Sequence, residues 1–115
     1  MIVVTTPDVH GKQVHKTLGM VRGSTVRATH IGRDILAVLR NLVGGEVEEY
    51  TKMMAESREQ ALDRMMQDAA RLGANAVVNA RFSTASISSA TAEILVYGTA
   101  VILEDAPAQE TEDGQ

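Results

Sequence analysis

Cysteine is absent from the 115-residue chain, which excludes a disulfide, a thiolate nucleophile and any Cys-based zinc or iron–sulfur site. Tryptophan is absent too. Phe82, Tyr50 and Tyr97 are the only aromatic residues, too few for the stacking platforms that hold single-stranded nucleic acid. No apolar run approaches the roughly 18 to 20 residues that cross a bilayer, so no membrane partner is expected. The opening MIVVTTPD lacks the basic start and long apolar stretch of a secretion signal, and cytoplasmic residence is the expectation. Neither a P-loop nor a Rossmann glycine pattern is present, and no nucleophile stands beside a base, so enzymatic activity is not expected.

What is present suffices for one domain, long enough to bury roughly two thirds of its unfolded surface in a single core. The net charge of −4 is unevenly spread. Glu104, Asp105, Glu110, Glu112 and Asp113 crowd the last twelve residues with no base among them, leaving ten acids against eleven bases in the rest. Residues 1–104 therefore read as a near-neutral single domain. Residues 105–115 read as an acidic, disordered tail, because they hold no apolar side chain large enough to offset the entropy of ordering. A near-neutral body without a recognition motif argues against a nucleic-acid partner.

The β-branched run Ile2 to Thr6, ending at Pro7-Asp8, predicts a short first strand and a loop to Gly11. Val14 to Leu18 and Met20 to Val26 read as extended, with a bulge or bend at Gly19 and Gly23. From Ile31, apolar residues at Ile35, Leu36, Val38, Leu39, Leu42 and Val43 recur at helical spacing and stop at Gly44-Gly45, predicting a nearly buried helix. A longer helix follows over Glu46 to Leu72. Its stripe is Tyr50, Met54, Ala61, Leu62, Met65, Ala69 and Leu72, with Glu48 and Lys52 paired outside and Gly73 closing it. Glu46, Glu48 and Glu49 in the first turn suit the helix dipole. Ala76 to Phe82 alternates Val78, Ala80 and Phe82 against Val77, Asn79 and Arg81, and STASISSATA reads as a flexible hairpin connection.

The last strand, Glu93 to Leu103, is apolar on both faces: Ile94, Val96, Ala100 and Ile102 on one, Leu95, Tyr97, Val101 and Leu103 on the other. Two helices cover only one face of a small sheet. Leaving the second in water would forfeit about 1.5 to 3 kcal/mol for each large side chain, so a homo-oligomer is expected to bury it, and a closed ring would also pair the strand edges.

Several motifs in order carry a family resemblance: Ile2 to Thr6, Leu18-Gly19-x-Val21-x-Gly23, Ile31-Gly32-Arg33-Asp34, and Leu42-Val43-Gly44-Gly45-Glu46 followed by Tyr50. Gly73-Ala74-Asn75-Ala76-Val77 and Tyr97-Gly98-Thr99-Ala100-Val101 complete the set. Over residues 1–104 the chain resembles the YbjQ-like family. The resemblance implies an α+β subunit of dodecin-like architecture, a small, mostly antiparallel sheet with two helices on one face. It also implies a ring, with a pentamer favoured and a decamer as its paired form. Family members are labelled heavy-metal-binding, without an established reaction, so a divalent or soft metal ion is the implied cofactor.

The residues offer little for such an ion. Without thiols the borderline ligands are His10, His15 and His30, with Asp8 two residues before His10, and none makes a recognised zinc spacing. Met53, Met54, Met65 and Met66 are poor copper(I) ligands. Met54 and Met65 lie about 16 Å apart along a helix, and the adjacent pairs diverge by about 100°, so they read as core fillers. Arg22, Arg27, Arg33 and Arg40 read as solvated arginines, Asp34 as a local cap, and Gly73-Ala74-Asn75-Ala76 as a structural turn. The expected function is an oligomeric metal-ion-binding protein. The alternative is a small-molecule container or scaffold ring without metal.

Overall fold

The structure, a computed structural model, describes residues 1–28, 45–88 and 91–107. Among them are strands β1 (Ile2–Val3), β2 (Lys12–Ala28), β3 (Ala76–Ser88) and β4 (Thr91–Asp105), and the helix α1 (Gly45–Arg71). The sheet runs β1-β3-β4-β2, with β1 parallel to β3 and the other neighbours antiparallel. This is an α+β fold with a mixed sheet, and the expected helix at 31–43 lies outside the described residues. The helix is not apolar enough to cross a membrane.

Helix α1 lies over β2 and β4 through residues spaced four apart: Ser57, Ala61, Met65 and Ala69 are fully buried. Three of these are small, which lets the axis approach the sheet closely. They meet Val21, Val77, Ile94, Val96 and Ala100 in the main core. Gly23 is where the approach is closest, because a Cβ there would collide with the backbone of Ala61 and Met65. Its role is thus close packing, and of the bulge or bend expected from sequence no bulge falls here: Arg22, Gly23 and Ser24 pair in continuous register with Tyr97, Val96 and Leu95.

The bulges of β2 fall earlier, between Val14 and Lys16 and between Thr17 and Gly19, leaving His15 and Leu18 as the extra residues. Leu18 turns onto the main core, and Gly19 takes a φ of 122° that suits glycine. In β3, Val78 pairs with Thr99 and Arg81 with Tyr97, so Asn79 and Ala80 together oppose Gly98. This bulge corrects the simple alternation: Val78 and Phe82 lie on opposite faces. The surplus N–H groups of Asn79 and Ala80 donate to the carbonyls of Thr6 and Val4, and Asn79 adopts φ 55°, which asparagine tolerates. Beyond Phe82 the Ser/Thr/Ala stretch continues as strand to Ser88, paired with β4 down to Thr91, where a flexible connection was expected. Backbone pairing with an apolar β4 decides this stretch more than its small side chains do.

The helix ends as expected. Gly73 at φ 85° donates to the carbonyl of Ala70, and Ala74 donates to that of Ala69, closing a Schellman motif. Leu72, expected on the buried stripe, is half exposed. The Asn75 amide then bonds the Leu103 backbone twice, Nδ2 donating to O at 2.9 Å and the N–H donating to Oδ1 at 2.7 Å.

On the sheet face away from α1, Val4 and Val9 of the N-terminal loop cover Ala76, Val78, Val101 and Leu103. Val101 and Leu103 are therefore buried within one chain, where the sequence alone suggests they would face water. The rest of that face, with Met20, Val26, Leu95 and Tyr97, has no such cover among the described residues: Met20 is 69% and Tyr97 38% exposed.

Candidate functional site

The described candidate ligands do not converge. Asp8 and His10 are exposed on the loop between β1 and β2. His10 occupies the tip of a turn closed by Lys12 N–H donating to the Val9 carbonyl, with Gly11 at φ 78°. His15 lies apart from them at the first bulge of β2, where its Nδ1 comes within 3.3 Å of Glu104 Oε1 on the neighbouring strand. His30 lies outside the described residues. No group of three or more His, Asp or Glu that could hold a metal ion occurs among the described residues.

Chain pairing explains the His15–Glu104 contact. Register sets Gln13 opposite Glu104 and Lys12 opposite Asp105, and the bulge re-aims the next side chain toward the same carboxylate. Gln13 Nε2 also donates to Glu104 Oε1 at 3.4 Å, and Lys12 Nζ donates to Asp105 Oδ1 at 2.6 Å. The Lys12 hydrogen bond, reinforced by its charge, holds the Asp105 carboxyl below its ordinary value. Glu104 was missed as a site residue because it begins the acidic terminal stretch. The signal was available in the cross-strand pairing of Lys12, Gln13 and His15 with Glu104 and Asp105 from the far end of the chain.

One imidazole and one carboxylate are two ligands, whereas a zinc-type site takes four and a heavy-metal site prefers thiolates. The described residues of one chain do not build such a site. The methionines behave as packing: Met65 is fully buried, Met54 packs against the core, and Met53 and Met66 are half-buried. Of the candidate arginines, Arg33 and Arg40 lie outside the described residues. Arg22 shares a groove with two arginines not singled out from sequence, Arg64 and Arg71.

Comparison with known proteins places the chain. A family model described as "Putative heavy-metal-binding" matches residues 1–104. The chain belongs to the YbjQ-like, or UPF0145, family. It is 62% identical over 104 residues to a UPF0145 protein of Pyrococcus horikoshii, covering 90% of this chain and 89% of that relative. A UPF0145 protein of Methanosarcina acetivorans is 55% identical over 88% of this chain and 95% of its own length. Among solved structures, a protein of unknown function from the DUF74 family of Pediococcus pentosaceus superposes with a TM-score of 0.62 at 13% identity, over 90% of this chain and 98% of that one. That likeness shows the shared fold. The YbjQ-like assignment and the α+β architecture follow the expectation from sequence.

Proposed function

We propose that this YbjQ-like chain is a self-assembling binding subunit that carries a metal ion at a boundary between copies. The observation that supports assembly is the uncovered apolar strip of Met20, Val26, Leu95 and Tyr97 on the sheet face opposite α1. The subunit is also a thin plate of 62 × 32 × 16 Å with a radius of gyration of 19.1 Å. A compact chain of this length has about 13 Å. Such a plate buries little of its own surface, and a second copy is the economical cover. A ring of five, or two rings face to face, would satisfy the strip and the free edge of β2 together.

The His15–Glu104 pair supports the ionic part of the reading. Both side chains are more than 40% exposed; His15 stands on the edge strand β2 and Glu104 beside it on β4, where a neighbouring copy or water would supply the remaining ligands. An imidazole–carboxylate set suits zinc, nickel or copper(II) better than a soft heavy metal.

Light scattering coupled to size exclusion, followed by calorimetric titration of untagged protein with zinc, copper and nickel, tests both parts. The expected result is one oligomer that takes up an ion in stoichiometric amount and loses it on His15→Ala. A persistent monomer removes the assembly reading. An oligomer that gives no heat, and no bound metal by elemental analysis, removes the metal reading and leaves a scaffold or container. An organic mass retained in native mass spectrometry would identify a container.

A further inference from the structure

We infer that the outward sheet face, the one away from α1, meets a second copy of this chain across a twofold axis, with the partner subunit's Glu93 seated between Arg22 and Arg81. This rests on the reading of that face as a contact between copies, and it specifies how the copies are turned.

Strand register arranges the outward side chains in rows. Arg22 lies opposite Tyr97 and Tyr97 opposite Arg81, so one row across β2, β4 and β3 is Arg22, Tyr97 and Arg81. The next row is Ser24, Leu95 and Ser83, and the one after it Val26, Glu93 and Ala85. Their strand neighbours Val21, Thr25, Ile94 and Val96 point to α1, which puts these rows on the other side. Arg81 is held there by donating to the carbonyl of Thr5, in the N-terminal loop that crosses the same face.

An interface over this strip takes its charged groups out of water along with its apolar ones, and a buried charge without a partner is costly. Among the described residues the Arg22 guanidinium has no hydrogen-bond or ion-pair partner, and neither has the Glu93 carboxylate. Arg81 uses Nη1 on the carbonyls of Thr5 and Ala80 and keeps its other N–H groups. Within one chain Glu93 stands two rows from the arginines, about 13 Å along the strands, with the Leu95 row between. Opposite charges on one face, separated in this way, are met by a second copy of the same face.

Sheets packed face to face lie about 10 Å apart with their strands within about 30° of each other. If the axis runs along the Leu95 row, Ser24, Leu95 and Ser83 face their own counterparts and each Tyr97 row faces a Glu93 row. The partner subunit's Glu93 then stands over Tyr97 with a guanidinium on either side, and an arginine and a glutamate together span the gap. If the axis ran along the strands instead, Arg22 would face the partner subunit's Arg81, and Glu93 its own counterpart. Like charges in a desolvated contact disfavour that arrangement and select the first. Met20, Val26, Leu95 and Tyr97 supply the attraction, and the three charges fix the orientation.

Sedimentation velocity over a dilution series, on the untagged protein and its variants, tests the contact. Glu93→Arg and Arg22→Glu should each weaken association at least tenfold, and Arg22→Glu/Glu93→Arg should recover most of the loss. Position 22 is exposed and position 93 half-buried, and an unaltered circular-dichroism spectrum will show that each variant folds. Because the chain holds no cysteine, one introduced thiol reports the orientation. A short bismaleimide should join Ser24→Cys chains to each other and Ser83→Cys chains to each other. An oligomer that Glu93→Arg leaves intact, a double variant no tighter than the singles, or linkage only between Ser24→Cys and Ser83→Cys chains overturns the inference while the assembly reading stands. A monomeric parent overturns both.

Discussion

At Gly23 a hydrogen atom stands where any other residue would carry carbon, and the atoms it would strike belong to the backbone of α1 at Ala61 and Met65. Backbone in a helix packed on a sheet has no rotamer by which to yield. Gly23→Ala should therefore destabilise the chain by about 3 kcal/mol, at the upper end of overpacking effects, as measured by urea unfolding. Gly73→Ala should cost less, about 1 to 2 kcal/mol, since nothing crowds that position and only its left-handed φ of 85° is lost. The contrast marks what a sequence discloses. Gly73 lies after a helical pattern, and its capping role follows from local rules. Gly23 interrupts a strand pattern, and the chain 40 residues further on decides whether it bends or admits a helix. Asn75 is a similar case: its residue type suggests a backbone bond nearby, yet its amide spans to Leu103, 28 positions away. Asn75→Ala removes both bonds and should cost about 2 kcal/mol at roughly 1 kcal/mol each, again by urea unfolding.

Among the elements, the long β2–β4 ladder connects the two ends of the chain, and its last rung is Lys12 opposite Asp105. Because Lys12 lowers the folded-state carboxyl below its unfolded value, the rung's contribution is fully present above the unfolded pKa, about 3.9. It is lost as pH falls through the lower, folded one. Amide hydrogen exchange at Lys12 and Asp105 should thus speed up, relative to the middle of the ladder, as the pH drops below about 4. Asp105→Asn should fray at neutral pH and lose that acid dependence, and salt should weaken the parent's rung because both groups are exposed. The strand pattern of β4 was legible because both of its faces are apolar over eleven residues, and α1 because its stripe keeps helical period. The extension of β3 to Ser88 was not legible, since serine, threonine and alanine carry weak local preference and the pairing with Ile94 and Leu95 fixes them. Likewise His15 and Glu104 could be named as types, but only the bulge between Val14 and Lys16 brings them to 3.3 Å.

At the scale of the whole molecule, thinness is the property with the largest consequence. In a plate 16 Å deep the described residues set one helix on one sheet, and the N-terminal loop covers part of the other face, through Val4 and Val9. The proposed assembly should then depend on Met20 and Tyr97, which lie diagonally on that face, Met20 opposite Thr99 and Arg22 opposite Tyr97. Met20→Lys/Tyr97→Glu replaces both with charges of opposite sign on neighbouring strands, which stabilise each other within one subunit while ending the apolar contact between subunits. Both positions are exposed in the single chain, so its circular-dichroism spectrum should be unchanged. Loss of two apolar anchors at about 1.5 kcal/mol each, the lower figure for a buried side chain, should weaken association by about 100-fold and shift the sedimentation profile toward the monomer. An unchanged oligomer in the double variant would assign the interface to the free edge of β2 instead, where Lys12 to Thr17 offer backbone groups rather than an apolar strip.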